Sequence, residues 1–332
     1  MGIVNYQNDQ HQNNRRWSVR WRLGAIALLM AGMGAIASCS ADSTAPTDSN
    51  PPAVEAAATE TATEAAETAS TGETDNTSDI KVIVTLTSLT ADLVHTLDKD
   101  KLAGIPGSSL MREDSRFAGL EVVSAGRAEP NLEKIVALKP DLVIGAAGFH
   151  DKTLNRLEEL GVKTLATDVN GWDGLKALTT DLAQQMGADP QPLLGRYDAC
   201  LAKAPDSAPS ALILVSRQPL LSPNKNSWAG DFLSKFNVKN LTADLQGKSP
   251  FDGYITLSEE KVLTSNPEAL LVVNTQDNLL AQLKKDAFWG KLKATQTDAV
   301  HTFDYFGLIN PGSVASIAAT CDKLSQLPSS DG

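Results

Sequence analysis

The side chains best suited to hold a ligand follow short apolar segments of the chain. Thr87 and Ser88 follow the apolar segment at residues 81–86. Gly148, Phe149 and His150 follow the apolar segment at residues 141–146. Hydroxyls and unpaired N–H groups at a helix start favour an anionic oxygen, and a glycine lets a ligand approach the backbone. This pattern predicts a binding site where buried strands end.

Arginines and aromatic residues in the neighbouring loops add to this prediction. The arginines are Arg112, Arg127 and Arg217, and the aromatic residues are Trp228, Tyr254 and Tyr305. A guanidinium group binds carboxylate or hydroxamate oxygens through paired hydrogen bonds, and an aromatic ring can lie flat on a planar or hydrophobic ligand. The alternatives are a solvated surface charge for each arginine and core packing for each aromatic residue.

Beyond residue 80 few residues are available for metal binding or catalysis. The histidines there are His95, His150 and His301, and only His150 falls just after a predicted strand. A site for a free metal ion would gather several imidazoles and a carboxylate. The chain also has no G-x-S-x-G, phosphate-loop or H-E-x-x-H motif. We therefore predict no metal site, no cofactor and no enzymatic activity; a secreted enzyme on a two-lobed scaffold is the alternative.

Residues 1–38 have the pattern of an export signal. Four arginines within residues 15–22 precede an apolar run at 23–37, which is shorter than the roughly 20 residues of a membrane-spanning helix. The run ends in Ile-Ala-Ser followed by Cys39, and this resembles the lipobox of bacterial lipoproteins. The resemblance implies a lipid-modified Cys39 at the mature N-terminus. A plain signal peptide with a chance cysteine is the alternative.

Residues 39–79 are predicted to form a disordered acidic tether. Positions 40–79 carry nine acidic residues and no Lys or Arg, and Val54 is their only large apolar residue. Such a segment buries too little apolar surface to offset the entropy of ordering its backbone. The remaining residues, 80–332, carry 25 basic and 30 acidic side chains. This balance implies no basic face for nucleic acid.

The rest of the chain alternates short apolar segments with amphipathic ones, which predicts an α/β fold with mostly parallel sheets covered on both faces. We assign an N-terminal lobe to 80–188, a linking helix to 189–205 and a C-terminal lobe to 206–327. Two Rossmann-like lobes joined by a single long helix would leave a ligand cleft between them.

A repeated segment supports this division into two lobes. Glu-Lys-Ile-Val at 133–136 is matched by Glu-Lys-Val-Leu at 260–263, and each is followed by a proline, an acidic residue and an apolar strand. The copies lie on opposite sides of the predicted linking helix. A chance match of a common helix-to-strand unit is the alternative, since this turn chemistry is ordinary.

Five segments carry a resemblance to a known family. They are Gly126-Arg127 with the following EPNLE at 129–133, LKPDLVI at 138–144, SWAGDFL at 227–233, the repeat at Glu260, and GLINPG at 307–312. Through them residues 80–327 resemble the solute-binding proteins of ABC importers for ferric siderophores, haem and cobalamin. The resemblance implies a binding protein outside the cytoplasm whose spanning helix permits only small hinge closure.

The same resemblance implies docking of each lobe to a permease dimer through one carboxylate. Glu133 and Glu260 hold the matching positions, with simple stabilisation of a helix N-terminus as the alternative. We expect a monomer, tethered by lipid and facing the periplasm or the cell exterior. Its expected ligand is a ferric siderophore or related metal chelate, favoured over cobalamin or haem because of the arginines. The sequence leaves open whether Cys200 and Cys321 form a disulfide.

Overall fold

The computed structural model describes residues 80–125, 128–247, 249, 251–275 and 278–328. The predicted signal peptide, acidic tether and Cys39 lie outside these residues, and so does Arg127. No helix within the described ranges is long and apolar enough to cross a membrane.

Helices and strands alternate along the described chain. The helices are α1 Ser88–Asp98, α2 Ser109–Glu113, α3 Leu132–Ala137, α4 Asp151–Glu159, α5 Trp172–Met186, α6 Gln191–Leu201, α7 Trp228–Lys235, α8 Glu259–Ser265, α9 Leu279–Leu283, α10 Lys293–Gln296, α11 Tyr305–Leu308 and α12 Val314–Leu324. The strands are β1 Ile83–Thr85, β2 Leu102–Gly107, β3 Glu121–Ala125, β4 Leu142–Ala146, β5 Thr164–Thr167, β6 Ser210–Leu214, β7 Ser216–Arg217, β8 Leu220–Pro223, β9 Lys239–Asn240, β10 Tyr254–Leu257, β11 Ala269–Asn274 and β12 Val300–Asp304.

The first five strands form one parallel sheet in the order β3-β2-β1-β4-β5. Adjacent residues of β1 point to opposite faces of the sheet: Ile83 packs in a cluster with α1 and α5, and Val84 packs in a cluster with α3 and α4. Both side chains are fully buried. Burial on both faces explains why these strands read as continuous apolar runs in the sequence.

The second lobe has a parallel sheet in the order β12-β11-β6-β9. A separate three-stranded sheet, β10-β8-β7, is antiparallel. Local sequence pattern does not reveal this antiparallel sheet, because β7 and β8 are short and are joined by a tight turn. The predicted α/β class with two mostly parallel sheets is confirmed.

The repeated segments fold in the same way in both lobes. Asn131 caps α3 by accepting from the Lys134 amide (3.0 Å), and Ser258 caps α8 by accepting from the Lys261 amide (3.2 Å). The acidic residue that follows each proline then holds the start of a neighbouring strand. Asp141 Oδ2 accepts from the amides of residues 81 and 82, both at 2.8 Å, and Glu268 Oε2 accepts from the amide of residue 210 at 3.0 Å.

In the sequence, the two parallel sheets are separated by helices α5 and α6. The segment predicted as a linking helix, 189–205, is helical over Gln191–Leu201. Helix α5 precedes it, ends at Gly187 and contacts both α1 of the first lobe and α7 of the second. The assigned lobe boundaries remain a prediction, while the contacts of α5 show that it also bridges the two sheets.

Cys200 of α6 and Cys321 of α12 are joined by a disulfide, with their Cα atoms 5.7 Å apart. This distance is within the usual range of about 4.4–6.8 Å. The bond resolves a question that the spacing of the cysteines in the sequence left open, and it ties α6 to the last helix of the second lobe.

Candidate functional site

The predicted site residues of the first lobe lie at the carboxyl edge of its parallel sheet. Thr87 caps α1, and its Oγ1 accepts from the Thr90 amide at 3.2 Å. Ser88 hydrogen-bonds to Ser108, the residue after β2, with their hydroxyl oxygens 2.7 Å apart. The loops after β1 and β2 are therefore joined by side chains. One of the N–H groups at the start of α1, that of Thr90, is therefore already bound by the Thr87 side chain.

The loops after β2 and β12 bring the two lobes together at this edge. Gly312 has φ +61, and a Cβ at that position would lie 2.7 Å from Phe306 Cδ1 and 3.0 Å from Leu110 Cδ1. Leu110 belongs to α2 of the first lobe, whereas Phe306 follows β12 of the second. Only a residue without a side chain fits between them in this backbone conformation. Residues that follow the carboxyl ends of the two parallel sheets thus come into contact at Gly312. We take the region that these two edges border as the candidate site and call it the cleft.

The turn after β4 carries Gly148, Phe149 and His150. Phe149 is 82% exposed, the largest exposed fraction among the exposed large apolar side chains of the described residues. His150 is half-buried, and its Nδ1 accepts from the Ala146 amide at 3.0 Å. Burial lowers the pKa of His150, and the neighbouring Asp151 carboxylate acts in the opposite direction. His150 thus holds the strand end, and Phe149 is the side chain of this turn that faces solvent.

The predicted arginines are engaged by protein groups where the structure describes them. Arg112 Nη1 donates to the Gly107 carbonyl oxygen at 2.6 Å. Arg217 donates through Nε (2.9 Å) and Nη2 (2.5 Å) to Asp286 Oδ1. This hydrogen bonding raises the pKa of the Arg217 guanidinium. Arg112 and Arg217 therefore orient loops in this state, and Arg127 lies outside the described residues.

Aromatic side chains of the second lobe form two ring pairs, which together we call the aromatic cluster. It comprises Phe251, Tyr254, Tyr305 and Phe306. The ring centroids of Phe251 and Tyr254 are 6.5 Å apart, and those of Tyr305 and Phe306 are 5.2 Å apart. Burial raises the pKa of Tyr254, and the Tyr305 hydroxyl adds to this shift. The Tyr254 phenol therefore stays neutral at physiological pH.

Trp228 lies away from the exposed edge of the cleft. It is 3% exposed, its Nε1 donates to the Gly307 carbonyl oxygen at 2.7 Å, and its ring lies 5.6 Å from that of Trp172. These contacts correspond to the core-packing alternative for this residue. A role of Trp228 in ligand contact remains a prediction.

Sequence reasoning missed two residues that border the cleft. They are Ser108, in the loop after β2, and Leu110, in α2. Neither belongs to a sequence motif, and only the packing of the two lobes brings them to this edge.

Glu133 and Glu260 occupy equivalent places on the two lobes. Glu133 is the second residue of α3, and Glu260 is the second residue of α8. Both side chains are exposed, and each lies two positions after the residue that caps its helix. The structure thus presents one carboxylate on each lobe in the same local geometry.

Other features of the described residues lie apart from this edge. No group of three or more His, Cys, Asp or Glu side chains in the described part of the chain could hold a metal ion. A cavity of about 530 Å³ lies where α1, α6 and α12 meet, lined by Asp92, Arg116, Arg196 and Lys203 among others. None of the predicted ligand residues lines this cavity.

The fold and the cleft define a two-lobed binding protein. A family model for the periplasmic binding proteins matches residues 83–305, so the chain belongs to that family. Membership makes it an exported, extracytoplasmic protein of a class that binds solutes, and the family and its structural neighbours are binding proteins.

Particular relatives extend this comparison. The vitamin B12-binding protein of Salmonella typhimurium is 28% identical over 208 residues, which cover 59% of this chain and 74% of that protein. An ABC transporter substrate-binding protein from Listeria monocytogenes superimposes with a TM-score of 0.62 at 18% identity, covering 76% of this chain and all of that one. The periplasmic vitamin B12 binding protein BtuF of Vibrio cholerae gives 0.57 at 21% identity, covering 74% and 96%. The solved structures share the two-lobed fold with this chain.

Proposed function

We propose that this protein is the solute-binding component of an ABC importer and that it captures a corrinoid of the cobalamin type in the cleft between its lobes. The observation that carries the ligand class is the make-up of the cleft edge. It combines the aromatic cluster and the exposed Phe149 with arginines that are already hydrogen-bonded within the protein.

The state of the arginines changes the expectation drawn from the sequence. In the sequence, three arginines near the predicted strand ends favour a ferric siderophore. Arg217 is bound by Asp286 and Arg112 by a backbone carbonyl, so part of the donor capacity of each guanidinium is already used within the protein and less is available to a ligand. Aromatic surfaces that include the neutral Tyr254 phenol instead suit a broad planar ring whose edge offers hydrogen-bonding amides. Similarity to the vitamin B12-binding protein of Salmonella typhimurium supports a corrinoid as the ligand as well.

A titration of the purified full-length protein tests the ligand. We expect cyanocobalamin to bind with saturation, measured by calorimetry and by quenching of tryptophan fluorescence, and ferrichrome, haemin, Zn²⁺ and Mn²⁺ to bind much more weakly. Phe251→Ala and Tyr305→Ala should each weaken cyanocobalamin binding about tenfold or more, because stacked aromatic area is lost.

Leu160→Ala is the matched control, because Leu160 is 53% exposed and follows α4 away from the strand ends. Its affinity for cyanocobalamin should equal that of the wild type. Saturable ferrichrome binding without cyanocobalamin binding would replace the corrinoid by a ferric siderophore.

Delivery to the importer is proposed to use Glu133 and Glu260. Both carboxylates lie at exposed helix starts, in α3 and α8, which are capped in the same way. A two-fold symmetric permease with two basic pockets would need two such equivalent carboxylates, one on each lobe. We also propose that lipid at Cys39 holds the protein at the membrane, with the acidic segment as its tether. Cys39 lies outside the described residues, so this part rests on the lipobox pattern.

The combined substitution Glu133→Lys and Glu260→Lys tests the docking surface. We expect uptake of cyanocobalamin by cells to be lost, because both contacts would become repulsive, while the purified variant keeps its ligand affinity. Glu113→Lys with Asp206→Lys makes the same charge change at exposed positions elsewhere and should leave uptake intact. Loss of ligand affinity in the purified Glu133/Glu260 variant would assign these residues to folding instead.

A further inference from the structure

The turn after β4 is closed by two reciprocal hydrogen bonds between Ala146 and His150. The His150 amide donates to the Ala146 carbonyl oxygen at 2.9 Å, and the Ala146 amide donates to His150 Nδ1 at 3.0 Å. The imidazole therefore takes the place of a backbone acceptor at the end of a central strand. Few side chains can do this, because the acceptor must fold back onto the residue four positions earlier.

The bond at Nδ1 fixes the protonation state of the ring. A nitrogen that accepts from an N–H must carry a free lone pair, so the proton of the neutral imidazole lies on Nε2. Protonation of Nδ1 would place two N–H groups against each other. The closed turn and the imidazolium form of His150 are therefore incompatible.

The same turn sets the direction of Phe149. Gly148 adopts φ +76, and its amide donates to Asp151 Oδ1 at 2.8 Å. A Cβ on Gly145 would lie 3.0 Å from His150 Cβ, so the first side-chain atom of His150 is packed directly on the strand end. Phe149 is held between these two anchored residues, with its side chain 82% exposed.

Few charges act on His150. The Asp151 carboxylate on α4 is the charged group that opposes the lowering of the His150 pKa by burial. The strands packed against α4 are β4 and β5, and neither contains a charged residue. Lys152, also on α4, is paired with Glu129 at 3.1 Å. Desolvation therefore dominates, and it favours the neutral ring.

We propose that His150 is a positioning residue that holds Phe149 at the ligand edge only while its Nδ1 is unprotonated, so that the cleft binds its ligand at neutral pH and loses affinity in acid. The role of Phe149 rests on the proposed binding function. The folded-state pKa of His150 is lowered from its usual value near 6.5. The bond is therefore complete at neutral pH and is lost as the pH falls through that lowered value.

The first arm of the test needs no ligand. NMR of ¹⁵N-labelled full-length protein should show an unprotonated Nδ1 on His150 at about pH 7.5, with the Ala146 amide protected from hydrogen exchange. As the pH falls through the lowered pKa of His150, this protection, corrected for intrinsic exchange, should fall several-fold. His150→Asn places an amide oxygen where Nδ1 lies and does not titrate, so it should remove the pH dependence. His150→Ala should lack the protection over the whole pH range.

The second arm measures cyanocobalamin affinity over the same pH range. The affinity of the wild type should weaken several-fold as the pH falls from about 7.5 through the lowered pKa of His150, and that of His150→Asn should not. His301→Asn, which changes the half-buried histidine of β12, should retain the wild-type profile. Unchanged Ala146 protection in acid, or wild-type pH dependence in His150→Asn, would overturn the proposal. The expected exchange pattern without cyanocobalamin binding at any pH would support the positioning of the turn and refute the ligand assignment.

Discussion

At the scale of single residues, the structure separates side chains that face solvent from those that hold the fold. Trp228 was expected near the ligand because it starts a helix after a polar loop. Its indole is buried, hydrogen-bonded and packed edge-on against Phe232, with ring centroids 5.4 Å apart. Phe149, by contrast, has no described ring partner and is largely exposed.

Trp228→Phe tests this distinction. The substitution leaves the Gly307 carbonyl oxygen without its buried donor, so we expect a loss of about 1 to 3 kcal/mol in the free energy of unfolding. Ligand affinity, measured by calorimetry well below the melting temperature, should stay within about twofold of the wild type, a difference under about 0.5 kcal/mol. Trp289→Phe is the control, because this residue is only partly buried. A large loss of affinity in Trp228→Phe would make the indole a ligand contact.

At the scale of elements, carboxylates hold helix starts across the two halves of the molecule. Asp92 of α1 accepts from the Val314 amide at the start of α12 at 2.7 Å, and Arg116 lies 2.9 Å from its other oxygen. Asp231 of α7 accepts from the Trp172 amide at the start of α5 at 2.8 Å. Unpaired N–H groups at helix starts favour such negative partners. These contacts restrict how far α5 and α12 can move relative to the opposite lobe.

Glycines in α6 and α7 have opposite structural roles, which gives a matched pair of substitutions. A Cβ at Gly230 in α7 would lie 2.0 Å from the Asn224 carbonyl oxygen, whereas a Cβ at Gly195 in α6 would meet nothing within 4 Å. Gly230→Ala should therefore destabilise the protein by about 3 kcal/mol or more. Gly195→Ala should stabilise it by about 1 kcal/mol, because alanine is the better helix former. Chemical denaturation measures both, and equal effects would contradict the described packing.

At the scale of the whole folded part, the two lobes share one apolar core. The same buried cluster contains Leu93 of α1, Trp172 of α5, Phe232 of α7 and Ile317 of α12. The disulfide between Cys200 and Cys321 lies in this cluster as well. A shared core favours small adjustments of the cleft over wide separation of the lobes.

Removal of the disulfide tests its part in this arrangement. The combined substitution Cys200→Ser and Cys321→Ser opens a loop of 121 residues. We expect the free energy of unfolding to fall by about 4 to 5 kcal/mol on the chain-entropy model. Denaturation of the wild type with and without reductant provides the comparison, and the reduced wild type should match the variant. A reductant-insensitive midpoint for the wild type would show that the bond is absent in solution.

Much of the fold followed from local pattern. Each strand buried on both faces is a short apolar run, so periodicity and turn residues were enough to place β4 and β11 and the helices before them. The repeat also located Glu133 and Glu260 at equivalent positions. The antiparallel strands β7 and β8 were not separated, because two to four residues carry too little pattern.

The sequence by itself determined the α/β class, the repeat of one unit in two lobes and the set of side chains that follow strand ends, because each depends on residues close together in the chain. Only the tertiary structure decided which of those side chains are available to a ligand. Arg217 meets Asp286 across 69 residues, and Trp228 meets Gly307 across 79. Such pairings depend on how the strands, helices and loops of the second lobe pack together, and no spacing along the chain encodes them.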